Sequence, residues 1–314
     1  MELRPLGPSG LRVSLVGLGC NNFGGRIDLA ATRRVIDAAL ALGVNHLDTA
    51  DIYGGGGKSE DFIGQCLGTR RNGVVLATKF GKPMADNPSD RRGTRAYIMS
   101  AVEASLRRLR TDWIDLLYMH EPDPGTPIEE TLRAGEELVK SGKVRALAAS
   151  NFSAGEIGDA VEAARKVGVA GFVATQDEYS LLERGIEDAL LPVLETHRLS
   201  LVPYFPLAGG ALTGKYRKGR PMPAGSRLAN APSGAERFLG RGRDEIVERL
   251  VAFADARGRT LLELALSWLA ARPQVASIIT GATKPEQIEA NVKAVGWKLG
   301  AEELAEIDRI TRQG

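Results

Sequence analysis

Short runs of aliphatic and β-branched residues, hardly alternating with polar ones, recur along the chain, and between them lie longer stretches whose apolar positions return every three or four residues. The first pattern predicts strands covered on both faces, as parallel sheets require, and the second predicts amphipathic helices. The strand runs are VSLVGLG (13–19), VNHLDT (44–49), VVLATK (74–79), IDLLYMH (114–120), VRALAAS (144–150), GFVATQ (171–176), LSLVPY (199–204) and ASIITG (276–281). Helical periodicity covers 30–42, 59–67, 95–109, 127–141, 153–167, 186–197, 244–257 with 260–271, and 284–295. Ser153 with Glu156 three residues on forms a capping box, and Gly43, Gly142, Gly168 and Gly258 stand where helices should stop.

Eight such β-α units in alternation predict an α/β protein of the (β/α)8 TIM-barrel type, a single domain over 1–314. An open doubly wound sheet would carry a Gly-rich dinucleotide turn after its first strand, and GLGCNNFGG does not have the G-x-G-x-x-G spacing. GGGG at 54–57, with Lys58 and Ser59 behind it, is out of register for a phosphate loop and reads as a flexible turn. Two segments exceed the repeat. LRPLGPSGLRVS at the start reads as an N-terminal β-hairpin plugging the barrel bottom, and 205–243, after the seventh strand, reads as a long Pro/Gly/Arg-rich loop of the kind that is usually functional.

Charge narrows the partners. The 41 basic and 39 acidic residues leave a net +2 with no long single-sign run, which argues against a nucleic-acid or membrane-surface protein and for a small-molecule partner. Cys20 and Cys66, the two cysteines, lack metal-ligand spacing, so no metal is expected and a reducing cytoplasm fits. The N-terminus has no apolar signal region, and no run of about 18 apolar residues occurs, so no membrane segment is expected.

In a parallel α/β barrel the C-terminal strand ends surround the active site. Here those ends are Cys20 with Asn21, Asp48, Lys79, His120, Ser150 with Asn151, Gln176, Tyr204 and Gly281, nearly all polar and directly after apolar residues. A lysine following the small and apolar residues of VVLATK would be desolvated unless it met a carboxylate, and Asp48, one strand away, supplies one. A free phenol titrates at about 10, but a neighbouring ammonium favours the phenolate, so Lys79 makes Tyr53 a useful proton donor. His120 would orient a substrate oxygen. No Ser-elbow, HxxxH or similar nucleophile or metal motif accompanies these four, so proton transfer to a carbonyl oxygen is the natural step and its electrons must come from a cofactor.

NHLDTADIYGGGGKSE, VVLATKFG, DLLYMHEPD, ALAASNFS, VPYFPLAGGALTGKY and IITGATKPEQIEANV, in this order and across nearly the whole chain, resemble the signature segments of the aldo-keto reductase superfamily. GKSE after the tyrosine and LTGKY in the seventh loop resemble its bacterial and potassium-channel-β-like branch. The resemblance implies a barrel that binds NADP(H) across its top, with Asp48, Tyr53, Lys79 and His120 as the catalytic tetrad and Tyr53 as general acid or base. It implies that Ser150, Asn151 and Gln176 hold the nicotinamide carboxamide, that Tyr204 stacks under the ring, and that Cys20, Asn21 and Asp48 belong to the same cofactor set. Phe205, Pro206 and Leu207 then lie near the pyrophosphate, Phe205 replacing a usual serine, and Lys215 and Arg227 clamp it from the long loop. Gly281, Thr283, Lys284, Gln287 and Asn291 fall at the adenine end, where Lys284 favours NADP(H) over NAD(H), while Gln287 and Ala290 stand where many relatives carry Arg and Glu. By position Asn22, Phe23, Ile52 and Met84 would shape the substrate pocket. The implied activity is hydride transfer between nicotinamide and an aldehyde, ketone or matching alcohol; the alternative is an NADP(H)-binding regulatory or redox-sensing subunit. Substrate, direction and homo-oligomerisation are left open by the sequence.

Overall fold

A computed structural model describes residues 1–84 and 88–312. An antiparallel hairpin, β1 (Leu3–Pro5) and β2 (Arg12–Ser14), precedes eight parallel strands: β3 (Val16–Gly19), β4 (His46–Asp48), β5 (Val75–Phe80), β6 (Ile114–Met119), β7 (Val144–Ser150), β8 (Phe172–Gln176), β9 (Ser200–Leu201) and β10 (Ile278–Gly281). The eight form one sheet in the order β10-β3-β4-β5-β6-β7-β8-β9. The sheet curls until its edges meet: Leu201 N–H donates to the Gln274 carbonyl at 2.7 Å, Ala276 N–H to Leu201 at 2.9 Å and Ile279 N–H to Pro203 at 3.0 Å.

The unalternating strand runs follow from this curl. Successive side chains of a strand point to opposite faces. Val75, Ala77, Leu116, Tyr118, Ala146 and Ala148 fill the interior, whereas Leu76, Leu117, Leu147 and Ala149 face the helices, so both sets are buried. The surrounding helices are α1 (Leu29–Ala41), α2 (Lys58–Leu67), α3 (Arg95–Leu109), α4 (Ile128–Lys140), α5 (Ala154–Val167), α6 (Leu190–His197), α7 (Pro232–Leu239), α8 (Arg243–Asp255), α9 (Leu261–Ala270), α10 (Pro285–Lys293) and α11 (Ala301–Arg312). The capping box at Ser153 and Glu156 is present, and a second closes on Thr260 and Glu263.

The hairpin lies across the end of the interior away from the strand C-termini. Leu6 and Val13 are fully buried in the interior cluster, and Gly7 N–H donates to Ser200 Oγ at 2.8 Å. Gly7 has φ +50°, and a Cβ there would stand 2.1 Å from the Val173 carbonyl oxygen, so this close approach requires glycine.

Four elements differ from the sequence expectation. The run 13–19 is divided between two sheets, β2 in the hairpin and β3 in the curled sheet, with the chain turning at Leu15. The run 199–204 keeps only Ser200–Leu201 as strand, because Pro203 has no N–H to give the ladder. The 205–243 segment is not a plain loop: it contains a 3-10 stretch, Ala208–Thr213, and helix α7. Helix α11 was not expected, since its buried contacts come from a stripe one residue wide, Ile307 and Ile310, among charged neighbours.

Candidate active site

At the C-terminal ends of the strands opens a cleft of about 900 Å³. Its floor is built around one buried ammonium. Lys79 Nζ, on β5, donates to Asp48 Oδ2 of β4 at 2.7 Å and to the Thr49 carbonyl at 2.8 Å, and it lies 3.5 Å from Tyr53 Oη. Gln176 Nε2, at the end of β8, donates to the other oxygen of Asp48 at 2.8 Å, so both carboxylate oxygens are satisfied in the dry interior. Burial pulls the Lys79 pKa down, but Asp48 and Tyr53 outweigh it and the net shift is upward, which keeps the ammonium charged.

Tyr53 follows β4 and is placed by the turn that GGGG makes. All four glycines are left-handed, with φ of 74°, 81°, 90° and 87°, and a Cβ on Gly57 would meet the Arg108 side chain at 2.3 Å. The turn therefore requires glycine, and it leads the chain from Tyr53 into the start of α2. The Tyr53 pKa departs upward: burial raises it most, Lys79 works against that, and Asp48 adds to it. The sequence reading counted only the pull of Lys79. In this state Tyr53 is a neutral phenol with an ammonium beside it.

His120 ends the β6 segment, its N–H donating to the Phe80 carbonyl at 2.8 Å and its ring edge-on to Tyr53 at 5.9 Å between centroids. Burial, then Lys79 and Lys82, push its pKa down to about 2, so it is an uncharged imidazole. Its Nδ1 is buried with no partner among the described residues.

Across the cleft, Ser150 Oγ donates to the Gln176 carbonyl at 2.8 Å, and Asn151, at φ +61°, donates from Nδ2 to the His120 carbonyl at 2.9 Å. Tyr204 Oη donates to Asn151 Oδ1 at 2.7 Å. Phe205, also left-handed at φ +49°, packs edge-on between Tyr204 and Phe238 of α7, with the Arg227 guanidinium 5.4 Å from its ring centre. A bulky residue in that conformation is held by its surroundings, and here it ties the long segment to the strand end. Gln287 Oε1 accepts from Thr283 N–H (2.7 Å), Thr283 Oγ1 (3.1 Å) and Lys284 N–H (3.3 Å), capping the start of α10.

The cleft brings together Cys20, Asn21, Asn22, Asp48, Ile52, Tyr53 and His120 on one side with Ser150, Asn151, Gln176 and Tyr204. Phe205, Pro206, Leu207, Lys215 and Arg227 line it from the long segment, and Gly281, Thr283, Lys284, Gln287 and Asn291 from β10 and α10. Lys79 stands behind Asp48 and Tyr53, 1% exposed, and does not reach the surface. Phe23 does not shape the pocket: it is fully buried in the core between sheet and helices. Met84 is likewise buried and outside the cleft lining, and residues 85–87 beside it lie outside the described residues. The sequence reading missed Arg26, Lys82, Glu121, Thr213 and Ser226. Glu121 was one step past a strand end already read; the others depend on loop conformation. Among the described residues no cluster of three or more His, Cys, Asp or Glu side chains could hold a metal, and no helix is long and apolar enough to cross a membrane.

Residues 15–312 match the Aldo/keto reductase family. The chain belongs to that family. A "Probable voltage-gated potassium channel subunit beta" of Arabidopsis thaliana is 38% identical over 304 residues, covering 94% of this chain and 91% of that protein. "Uncharacterized oxidoreductase YrpG" of Bacillus subtilis (strain 168) is 38% identical over 320 residues, 99% of this chain and 96% of that one. "L-glyceraldehyde 3-phosphate reductase" of Escherichia coli (strain K12) is 32% identical over 326 residues, 100% and 93%. Membership of the aldo/keto reductases makes the chain an oxidoreductase-family protein with a curled parallel sheet of eight strands.

One buried acid in this aldo/keto reductase had no place in the sequence reading. Asp51, between Asp48 and Tyr53, is 1% exposed, and neither carboxylate oxygen has a partner among the described residues. Burial, then Glu60, push its pKa up to about 7 against Arg108 and Lys79. An unfolded aspartate titrates at about 4. As pH rises from about 4 to about 7 the unfolded chain releases this proton first, so stability contributed by the neutral form is lost across that window. Asp51→Asn is therefore expected to raise stability at pH 8 by a few kcal/mol, at most about 4, and to change little at pH 4. Urea unfolding at the two pH values checks this; equal effects at both would show that Asp51 ionises freely.

Proposed function

We propose that the chain is an NADP(H)-dependent oxidoreductase, a single (β/α)8 barrel domain over 1–314 that moves hydride between nicotinamide and an aldehyde, ketone or the matching alcohol. The observation that carries the proposal is the buried Asp48–Lys79 pair ending at the Tyr53 hydroxyl on the floor of a cleft of about 900 Å³, a size suited to a large organic ligand. The residues present fit a dinucleotide. Amides and a hydroxyl at Ser150, Asn151 and Gln176 offer a carboxamide both donors and acceptors, Tyr204 offers a ring face, and Lys215 and Arg227 offer charge to phosphates. Ser226 Oγ is buried in the cleft wall without a partner, a polar atom waiting for one. Lys284 and the N-terminus of α10 supply the positive end that a 2'-phosphate would meet, whereas Gln287 is engaged in capping and adds no charge.

Bound there, the cofactor would supply the hydride. Tyr53 gives its proton to the carbonyl oxygen in reduction and takes one from the alcohol in oxidation. The phenolate left after reduction is formed beside the Lys79 ammonium, which Asp48 holds in place and charged. His120, uncharged, orients the substrate oxygen by a hydrogen bond and takes no proton. The identity to a protein named as a potassium channel β subunit supports a second reading, an NADP(H)-binding regulatory subunit with weak turnover. Nicotinamide absorbance followed with NADPH and NADH over a panel of carbonyls and alcohols separates the two. Turnover with NADPH exceeding that with NADH is expected; tight binding without turnover would favour the regulatory reading, and no binding of either cofactor would overturn both.

A further inference from the structure

The mouth of the cleft beside Tyr53 and His120 carries a charge that hydride transfer does not use. Strands β5 and β6 end side by side, Phe80 in register with Met119, and His120 N–H donates to the Phe80 carbonyl at 2.8 Å. Just beyond, the chain turns at Gly81, whose φ of +105° lies in the region that favours glycine. Lys82 comes next, and its backbone is held in place: Tyr97 Oη of α3 donates to the Lys82 carbonyl at 3.1 Å, and Arg92 Nε donates to the Gly81 carbonyl at 2.7 Å. The Lys82 side chain, 34% exposed, lines the cleft together with Ile52, Tyr53, His120 and Glu121. Its nearest carboxylate is Glu121, with Nζ 3.9 Å from Oε2, which is too far for a hydrogen bond. Arg92 Nη2 approaches the other oxygen of Glu121 at 3.4 Å. Two cations thus share one carboxylate, leaving one positive charge in excess, and among the described residues the Lys82 ammonium has no hydrogen-bond acceptor. Lys79 differs: Asp48 and the Thr49 carbonyl satisfy it from within. The Lys82 charge is felt at the site, since it helps to push the His120 pKa down. A long, partly exposed ion pair contributes little, so an incoming anion that makes a direct charge-assisted hydrogen bond can take the ammonium over.

We propose that Lys82 selects the substrate by charge: it receives the carboxylate or phosphate of an aldehyde whose carbonyl oxygen lies at Tyr53 and His120, while Arg92 keeps Glu121 from taking the ammonium. This rests on the reading of the cleft as a site of carbonyl reduction, and it narrows the substrate from carbonyls in general to short aldehydes with an anionic end. The aldehyde is short because Lys82 Nζ lies beside the residue directly after His120, so few bonds separate the anion from the reacting carbonyl.

Steady-state rates with NADPH on the full chain test this with matched pairs of aldehydes, succinic semialdehyde beside its methyl ester and glyceraldehyde 3-phosphate beside glyceraldehyde. The measured quantity is the ratio of kcat/KM, charged over neutral, within each pair. The wild type is expected to favour the charged member about tenfold or more in one pair at least, and which pair does so tells carboxylate from phosphate. Lys82→Met should reduce that ratio about tenfold or more, chiefly by raising KM for the charged member, whereas Lys82→Arg should keep it. Glu121→Gln should raise the ratio, because a like charge leaves the mouth. Added salt should lower the ratio in the wild type and much less in Lys82→Met. A ratio that Lys82→Met leaves unchanged, or a wild type that prefers the neutral members, would make Lys82 an ordinary solvated cation and leave carbonyl reduction standing. NADPH binding weakened by Lys82→Met as much as the ratio falls would assign the cation to the cofactor and overturn the proposal. If no aldehyde, charged or neutral, oxidises NADPH, the carbonyl-reduction reading fails and the charge selection with it.

Discussion

Lys79→Met is expected to cost about 3 to 5 kcal/mol of stability and to reduce turnover at least a hundredfold. The stability loss arises because Asp48 Oδ2 would be left as a buried charge without its 2.7 Å partner, and removing one member of a buried pair leaves the other uncompensated. The activity loss arises because the phenolate of Tyr53 would form with no ammonium beside it. The sign of the pH dependence follows from the upward shift of Lys79: the pair contributes its stability at neutral pH, and that contribution disappears as pH rises through the raised lysine value. The two losses can be separated. In Lys79→Met combined with Asp48→Leu no charge is left unpaired, so most of the stability should return while turnover does not. Denaturant unfolding and steady-state rates on the two proteins check this, and a double variant that recovers activity with stability would make the pair a packing element only.

Tyr53→Phe is expected to lower turnover by a factor of about 10² to 10⁴, the usual worth of a positioned proton donor, with unchanged affinity for the cofactor and little change in stability. The substitution removes one oxygen that lies 3.5 Å from Lys79 Nζ, a contact at the limit of hydrogen bonding, and leaves the ring packed against His120. Because the Tyr53 phenol is held above its ordinary value, the reduction rate of the wild type should stay flat through neutral pH and fall only in strong alkali, as the phenol ionises. His120, with its pKa at about 2, should contribute no step to the profile between pH 4 and pH 8. A rate that breaks near pH 6 to 7 and loses the break in a His120→Gln variant would assign the proton to the imidazole instead.

The fold was legible where burial left a simple signature. Strands covered on both faces read as unbroken apolar runs, so β4 to β8 were found with small errors at their ends, whereas the run 13–19 conceals a change of sheet that residue type does not mark. The Asp48–Lys79 pairing was legible because a lysine after VVLATK needs a carboxylate and the neighbouring strand ended in one. The second hydrogen bond to Asp48, from Gln176, was not, since it spans the curled sheet between strands that are not adjacent. The direction of the Tyr53 shift was misread because the sequence displays the cation and hides the depth of burial. Phe23 and Met84 look like pocket walls by position, yet Phe23 is packed in the core and Met84 is buried outside the cleft lining. Arg26, Ser226 and Asp51 went unread for one shared reason: what stands beside each is set by loop geometry.

The most direct test of the central claim follows the hydrogen. The wild-type protein is loaded with NADPH in which both hydrogens of the reactive ring carbon are replaced by deuterium and given a panel of aldehydes and ketones for a single turnover. The proposed function predicts that deuterium appears on the former carbonyl carbon of the alcohol, in amounts that match the oxidised cofactor, with no label in water. Label lost to solvent, or cofactor that stays bound and unoxidised with every carbonyl, would contradict it.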